Sequence, residues 1–170
     1  MFFIAIVQHT PAWVWGLLAT LVALGLWQTR PLEMSLTRVT LLPLVLTVLS
    51  LIGVLSKFGH LPVALVAWAA GLATAIVLGR KAVSVRGASW SANRGLLHVP
   101  GSWLPLVLIV SLFVLKYGAG VSLALAPTLA TDTTFAGLCS LAYGTFSGLF
   151  LARALSLRSL ASRPAAMQTA

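Results

Sequence analysis

Acidic residues are almost absent from this chain. Glu33 and Asp132 are the only two among 170 residues, against 11 lysines and arginines. That scarcity leaves no carboxylate pair for general acid–base catalysis. Cysteine occurs once, as Cys139. One cysteine excludes an intrachain disulfide and a Cys-x-x-Cys redox pair. It reads as a small packing residue. The three histidines, His9, His60 and His98, lack any ligand-like mutual spacing, so no metal site is expected. There is no glycine-rich phosphate loop and no paired nucleophile and base. These gaps point away from an enzyme.

What the chain has in excess is apolar length. Hydrophobic residues make up 59% of it, and they fall in runs. Apolar runs of about 18 residues or more without charge read as membrane-spanning helices. Five such runs are expected, at about 12–28, 39–56, 61–78, 102–126 and 133–152. At 1.5 Å per residue each matches a hydrocarbon core of about 30 Å. Continuous runs favour helices over the short alternating strands of a β-barrel. The fold class is therefore all-α: a polytopic transmembrane bundle, read as one domain over 1–158. A flexible tail is expected over 159–170.

The net charge of +9 would suit nucleic acid, but its distribution argues otherwise. Arg30 and Arg38 bracket the first loop. Arg80, Lys81, Arg86 and Arg94 lie in the third, and Arg153, Arg158 and Arg163 follow the last span. Only Lys57 and Lys116 belong to the opposite side. Positive residues stay cytoplasmic, so the N-terminus is expected outside and the C-terminus inside, which five spans satisfy. The expected partner is then a bilayer with anionic headgroups on its cytoplasmic side, with no nucleic acid. Residues 1–9 have neither the basic front nor the cleavage site of a signal peptide. They read as an interfacial segment, followed by Thr10 as N-cap and Pro11 as the first helical residue.

The loop over 79–99 is the one substantial soluble element. Val83-x-Val85 and Leu96-x-His98 flank the polar stretch from Gly87 to Gly95, which predicts a small cytoplasmic hairpin. Such a hairpin is marginal alone, so Trp90 is expected to anchor it to headgroups or bundle. Glu33 is expected to form a surface ion pair with its neighbours Arg30 and Arg38.

Helix faces suggest how the bundle closes. Ala136, Ser140, Gly144, Gly148 and Ala152 recur every four residues in the fifth span. Ala67, Gly71, Ala75 and Gly79 do so in the third. Such stripes allow close backbone approach. Packing within the chain is the preferred reading, and a homo-oligomer seam the other. The second span carries Thr40, Thr47, Ser50 and Lys57 on one face, which either lines a cavity or bonds back to its own helix. Trp13, Trp15, Trp27 and Trp103 sit near span ends as interfacial anchors.

The candidate site centres on Lys116, well inside the fourth span. An ionisable group at that depth marks function by default. Snorkelling to the outer interface, beside Tyr117, is the alternative. The Tyr143 hydroxyl and Asp132 are its candidate partners. Arg38, Thr40, Thr47 and Ser50 complete the set of residues that could contact a small ligand.

Several segments carry a resemblance. They are Val99-Pro-Gly-Ser-Trp-Leu-Pro-Leu106, Lys116-Tyr117, Tyr143-Gly-Thr-Phe-Ser-Gly148 with Arg153, His9-Thr-Pro-Ala-Trp-Val-Trp15 and Arg38-Val-Thr-Leu-Leu-Pro43. Together they resemble a family of small bacterial inner-membrane proteins of unknown function. The resemblance implies that membrane and supplies no activity. The chain is also similar to CcdC-type membrane proteins associated with cytochrome c biogenesis. Those share an arginine at the entry to an early span, a basic residue in the penultimate span and a Phe-Ser-Gly-type final span. Two function classes follow. One is a non-catalytic membrane protein without a cofactor: a small-ligand or lipid binder, a permease-like subunit or an assembly factor. The other is a redox component holding haem or quinone.

Overall fold

The computed structural model describes residues 11–82, 87–91 and 94–161. Within them are five α-helices: α1 (Ala12–Trp27), α2 (Leu36–Phe58), α3 (Pro62–Ala82), α4 (Leu104–Leu125) and α5 (Thr133–Ala161). Three short strands join them: β1 (Leu32–Ser35), β2 (Ser89–Ser91) and β3 (Leu96–Val99). A 3-10 turn, Pro127–Ala130, links α4 to α5.

Four of the helices are long and apolar enough to cross a membrane, and they mark this as a membrane protein. The fifth, α1, has 16 residues and spans roughly 24 Å at 1.5 Å per residue. The outside of the bundle is apolar. Leu41, Leu42, Leu44, Val48, Leu49 and Ile52 of α2 are all about half exposed. A continuous coat of this kind on a soluble protein would be an aggregation surface; against lipid it is the expected one. The polar groups turn inwards, with Thr47, Ser50, Ser140 and Ser147 buried.

Local chemistry sets the helix starts. Ser35 ends β1 and caps α2, its hydroxyl accepting from Arg38 N at 3.4 Å. Asp132 caps α5, its carboxylate accepting from Phe135 N at 2.7 Å. Pro105 lies in the first turn of α4, where a missing N–H costs nothing.

The centre of the bundle is α5, which packs on α2, α3 and α4, while α1 lies outermost against α4. The closest pair is α3 with α5, and the two small-residue stripes explain it. Gly144 lies against the Trp68 carbonyl and Gly71 against the Leu141 carbonyl. A Cβ on Gly148 would sit 2.5 Å from Leu72 O and 2.7 Å from Ala75 Cβ. The stripes therefore face each other within one chain. In lipid such close backbone approach stands in for the missing hydrophobic force between helices. Gly137, off the stripe, meets nothing within 4 Å.

At one end of the bundle the strands form an antiparallel sheet of order β1-β3-β2. Met34 and Trp90 flank Leu97 in register. That row turns onto Val39 of α2 and onto Ala154 and Leu157 of α5. Side chains alternate across a strand, so Glu33, His98 and Ser89 occupy the other face.

Several expectations need correction here. The loop between the first two spans contains a strand, β1, and the sheet has three strands, not two. The second hairpin strand is Ser89–Ser91, inside the stretch read as polar connection; Val83 and Val85 lie outside the described residues. Glu33 pairs with Arg94, at 3.6 Å between exposed side chains, because strand pairing carries it away from Arg30 and Arg38. Finally, α5 continues nine residues beyond Ala152. No breaker interrupts it, and its last turns bury Ala154 and Leu157 under the sheet. Ser159 to Ala161 are thus helical rather than tail.

Candidate functional site

The residues singled out from sequence fall into three places. Arg38 stands exposed in the first turn of α2, at the sheet end. Around it the fold gathers the other cations of that end. Gly79 packs on Ala152, which sets Arg80 of α3 near Arg153 of α5. Arg30 precedes β1, and Arg94 precedes β3. Arg86 and Arg163 lie outside the described residues.

The hydroxyl face of α2 divides. Thr40 donates to Leu36 O at 2.9 Å and Thr47 to Pro43 O at 2.8 Å, each within its own helix. The Thr47 bond returns to the carbonyl of a proline that itself offers no N–H. Both threonine hydroxyls thus bond back to their own helix. Ser50 behaves differently. It accepts from Trp68 Nε1 at 3.2 Å and donates to Tyr143 O at 3.5 Å, so it joins α2, α3 and α5. Ser147 donates to the same carbonyl at 2.9 Å.

Trp68 was missed by the sequence reading, and a signal for it existed. The tryptophans assigned to the interface lie near span ends, whereas Trp68 falls inside its span. A buried indole N–H needs an acceptor, and that need points to a hydroxyl on a neighbouring helix.

Lys116 lies nine residues before the end of α4. Its Nζ sits over the Tyr143 ring, 5.4 Å from the centroid. It also faces α2, 3.6 Å from where a Cβ on Gly53 would stand. Two expected contacts change accordingly. Lys116 meets the ring of Tyr143 and not its hydroxyl, a cation–π geometry. Asp132 caps α5. Tyr117 stacks on Phe113 of its own helix at 6.1 Å and 6°. On α2, Lys57 lies one turn beyond Gly53 on the same face.

Chemically this site can hold negative charge. The Lys116 ammonium stands over an aromatic ring, and Lys57 follows Gly53 by one turn on the facing helix. His60 follows the C-terminal end of α2, and His98 lies in the sheet at its N-terminal end. The 23 residues of α2 separate them by roughly 35 Å, so these two cannot ligate one haem together. His9 lies outside the described residues. Cys139 is a free, buried thiol within the core cluster around Trp68 and Tyr143.

Comparison with known proteins places the chain plainly. It belongs to a family of unknown function, DUF6622, whose match extends over residues 1–168. No curated protein and no solved structure matches it.

Proposed function

We propose that this family member is a five-span protein of the bacterial inner membrane that binds an anionic lipid or small molecule and carries out no covalent chemistry. Its N-terminus lies outside and its C-terminus in the cytoplasm. Its role is that of a permease-like subunit or membrane assembly factor.

One observation carries the reading: the cations and the sheet occupy the same end of an apolar bundle. The sheet ties the start of α2 to the start of α4. The end of α5 packs beneath it. Arg30, Arg38, Arg80, Arg94, Arg153 and Arg158 therefore share that end, with Glu33 as the lone acid in the sequence there. The positive-inside tendency assigns it to the cytoplasm. Anionic headgroups on that leaflet add about 1 kcal/mol per nearby lysine or arginine. With 16 residues, α1 is short for a span of about 20, and local thinning or snorkelling of flanking residues accommodates such a mismatch.

Mass spectrometry of lipids and small molecules that co-purify with the full chain tests the proposal. Enrichment of anionic species over an unrelated membrane protein of similar size is expected. Recovery of bulk lipid proportions, with no specific small molecule, would overturn it.

A further inference from the structure

Lys116 of α4 faces Gly53 of α2, one turn before Lys57. Both α2 and α4 pack on α5, but contact between them is at most slight. Gly53 leaves the α2 wall without a side chain, and the Lys116 ammonium points at that place. Tyr143 forms the floor, 4% exposed, its ring beneath the ammonium. Lys57 stands at the rim, one residue from the end of α2. Among the described residues neither lysine makes a salt bridge. Asp132 is exposed at the start of α5 and engaged as its cap, and Glu33 is at the far end of the bundle with Arg94.

We propose that this gap between α2 and α4 is a headgroup site for an anionic phospholipid, its phosphate held between Lys57 and Lys116 above the Tyr143 ring. The inference rests on the membrane reading given above and assigns that reading a second site, on the leaflet opposite the arginine-rich end.

Height supports a lipid. Gly53 is five residues below the end of α2, roughly 8 Å at 1.5 Å per residue. The Lys116 Nζ thus lies just beneath the headgroup level that Lys57 marks. Chemistry supports it too. An ammonium has three donors and no acceptor. The ring satisfies one direction, and a phosphate offers oxygens for the others. Two cations near hydrocarbon are costly, and one anion between them relieves both. Below the gap, Leu49 and Ile52 of α2 are exposed and give acyl chains an apolar wall.

The test is titration of the purified full chain with phosphatidylglycerol in zwitterionic detergent, read by native mass spectrometry. Wild type is compared with the Lys57→Gln/Lys116→Gln double variant, Lys116→Arg, Gly53→Leu and an Arg30→Gln/Arg38→Gln control. One phosphatidylglycerol is expected to bind the double variant roughly 10- to 30-fold more weakly, from the surface-charge contribution of two lysines. Lys116→Arg should retain binding. Gly53→Leu keeps both charges and should lose binding by filling the gap. Inorganic phosphate at millimolar concentration should not displace the lipid. Displacement would make the ligand a free anion and overturn the lipid assignment. Equal affinity in wild type and the double variant overturns the site. If only the Arg30/Arg38 control then loses lipid, the membrane-binding reading survives while this site fails. No preference for phosphatidylglycerol over phosphatidylcholine in any form would sink both.

Discussion

Trp68 of α3 donates its indole N–H to the hydroxyl of Ser50 on α2, at 3.2 Å, in the interior of the bundle. The same hydroxyl donates to the Tyr143 carbonyl of α5 at 3.5 Å. One serine thus fixes the relative height of three helices. Apolar packing alone would leave that height loose, since one leucine contact in lipid is much like another.

Removing either side chain should weaken the bundle measurably. Ser50→Ala leaves the indole donor unpaired, at a cost of about 1 kcal/mol. Trp68→Phe should cost more, because ring area is lost as well as the bond. The double variant should be less unstable than the two costs combined. Reversible unfolding in mixed detergent would measure the cycle. Strict additivity would show that the two groups do not interact.

The small-residue seam gives a contrast between two glycines of one helix. Gly148→Leu places a side chain where Leu72 O and Ala75 Cβ already stand. Overpacking of this kind costs about 1–3 kcal/mol or more. Gly137→Leu meets open space and should fold like wild type. Equal yields of monodisperse protein from both variants would mean that α3 and α5 do not meet along this stripe.

The helices were legible in the sequence because lipid imposes one simple rule: apolar length without charge. Their ends were less so. Nothing near Ala152 announces that α5 continues, since the reason is burial of Ala154 and Leu157 by strands distant in the chain. The first strand is only four residues long, too short for period-two alternation to stand out. It exists because Leu97 offers it a partner. The α2 face shows the same limit. Thr40, Thr47 and Ser50 look equivalent in sequence, and only the position of Trp68 makes Ser50 a crossing point. Lys116 stood out because charge inside an apolar run is conspicuous. Its contact with the ring of Tyr143 and the gap at Gly53 required the helices to be assembled.

Ser140 offers a test with the opposite sign. It is fully buried, and among the described residues its hydroxyl finds no hydrogen-bond partner. Removing an unsatisfied polar group relieves its desolvation cost. Ser140→Ala should therefore leave the protein as stable as wild type, or up to about 1 kcal/mol more stable. A loss of stability in thermal unfolding would reveal a partner for this hydroxyl.

Orientation is the remaining prediction, and the sheet sharpens it. Reporter fusions after Arg158 should report cytoplasm, and fusions at Lys57 or Asp132 should report the outside. The structure ties these outcomes together. Val39 and Leu157 lie in one cluster beneath the sheet, so the start of α2 and the end of α5 must share a side. Phe58 and Phe135 meet at 6.1 Å, so the end of α2 and the start of α5 share the other. Charge then chooses between the two remaining orientations. Replacing Arg30, Arg38 and Arg80 with glutamine while adding lysines beside Lys57 should therefore invert a fraction of the molecules as whole bundles. Both reporters should switch together. If one end inverts while the other stays, the helices do not insert as the single antiparallel unit seen here.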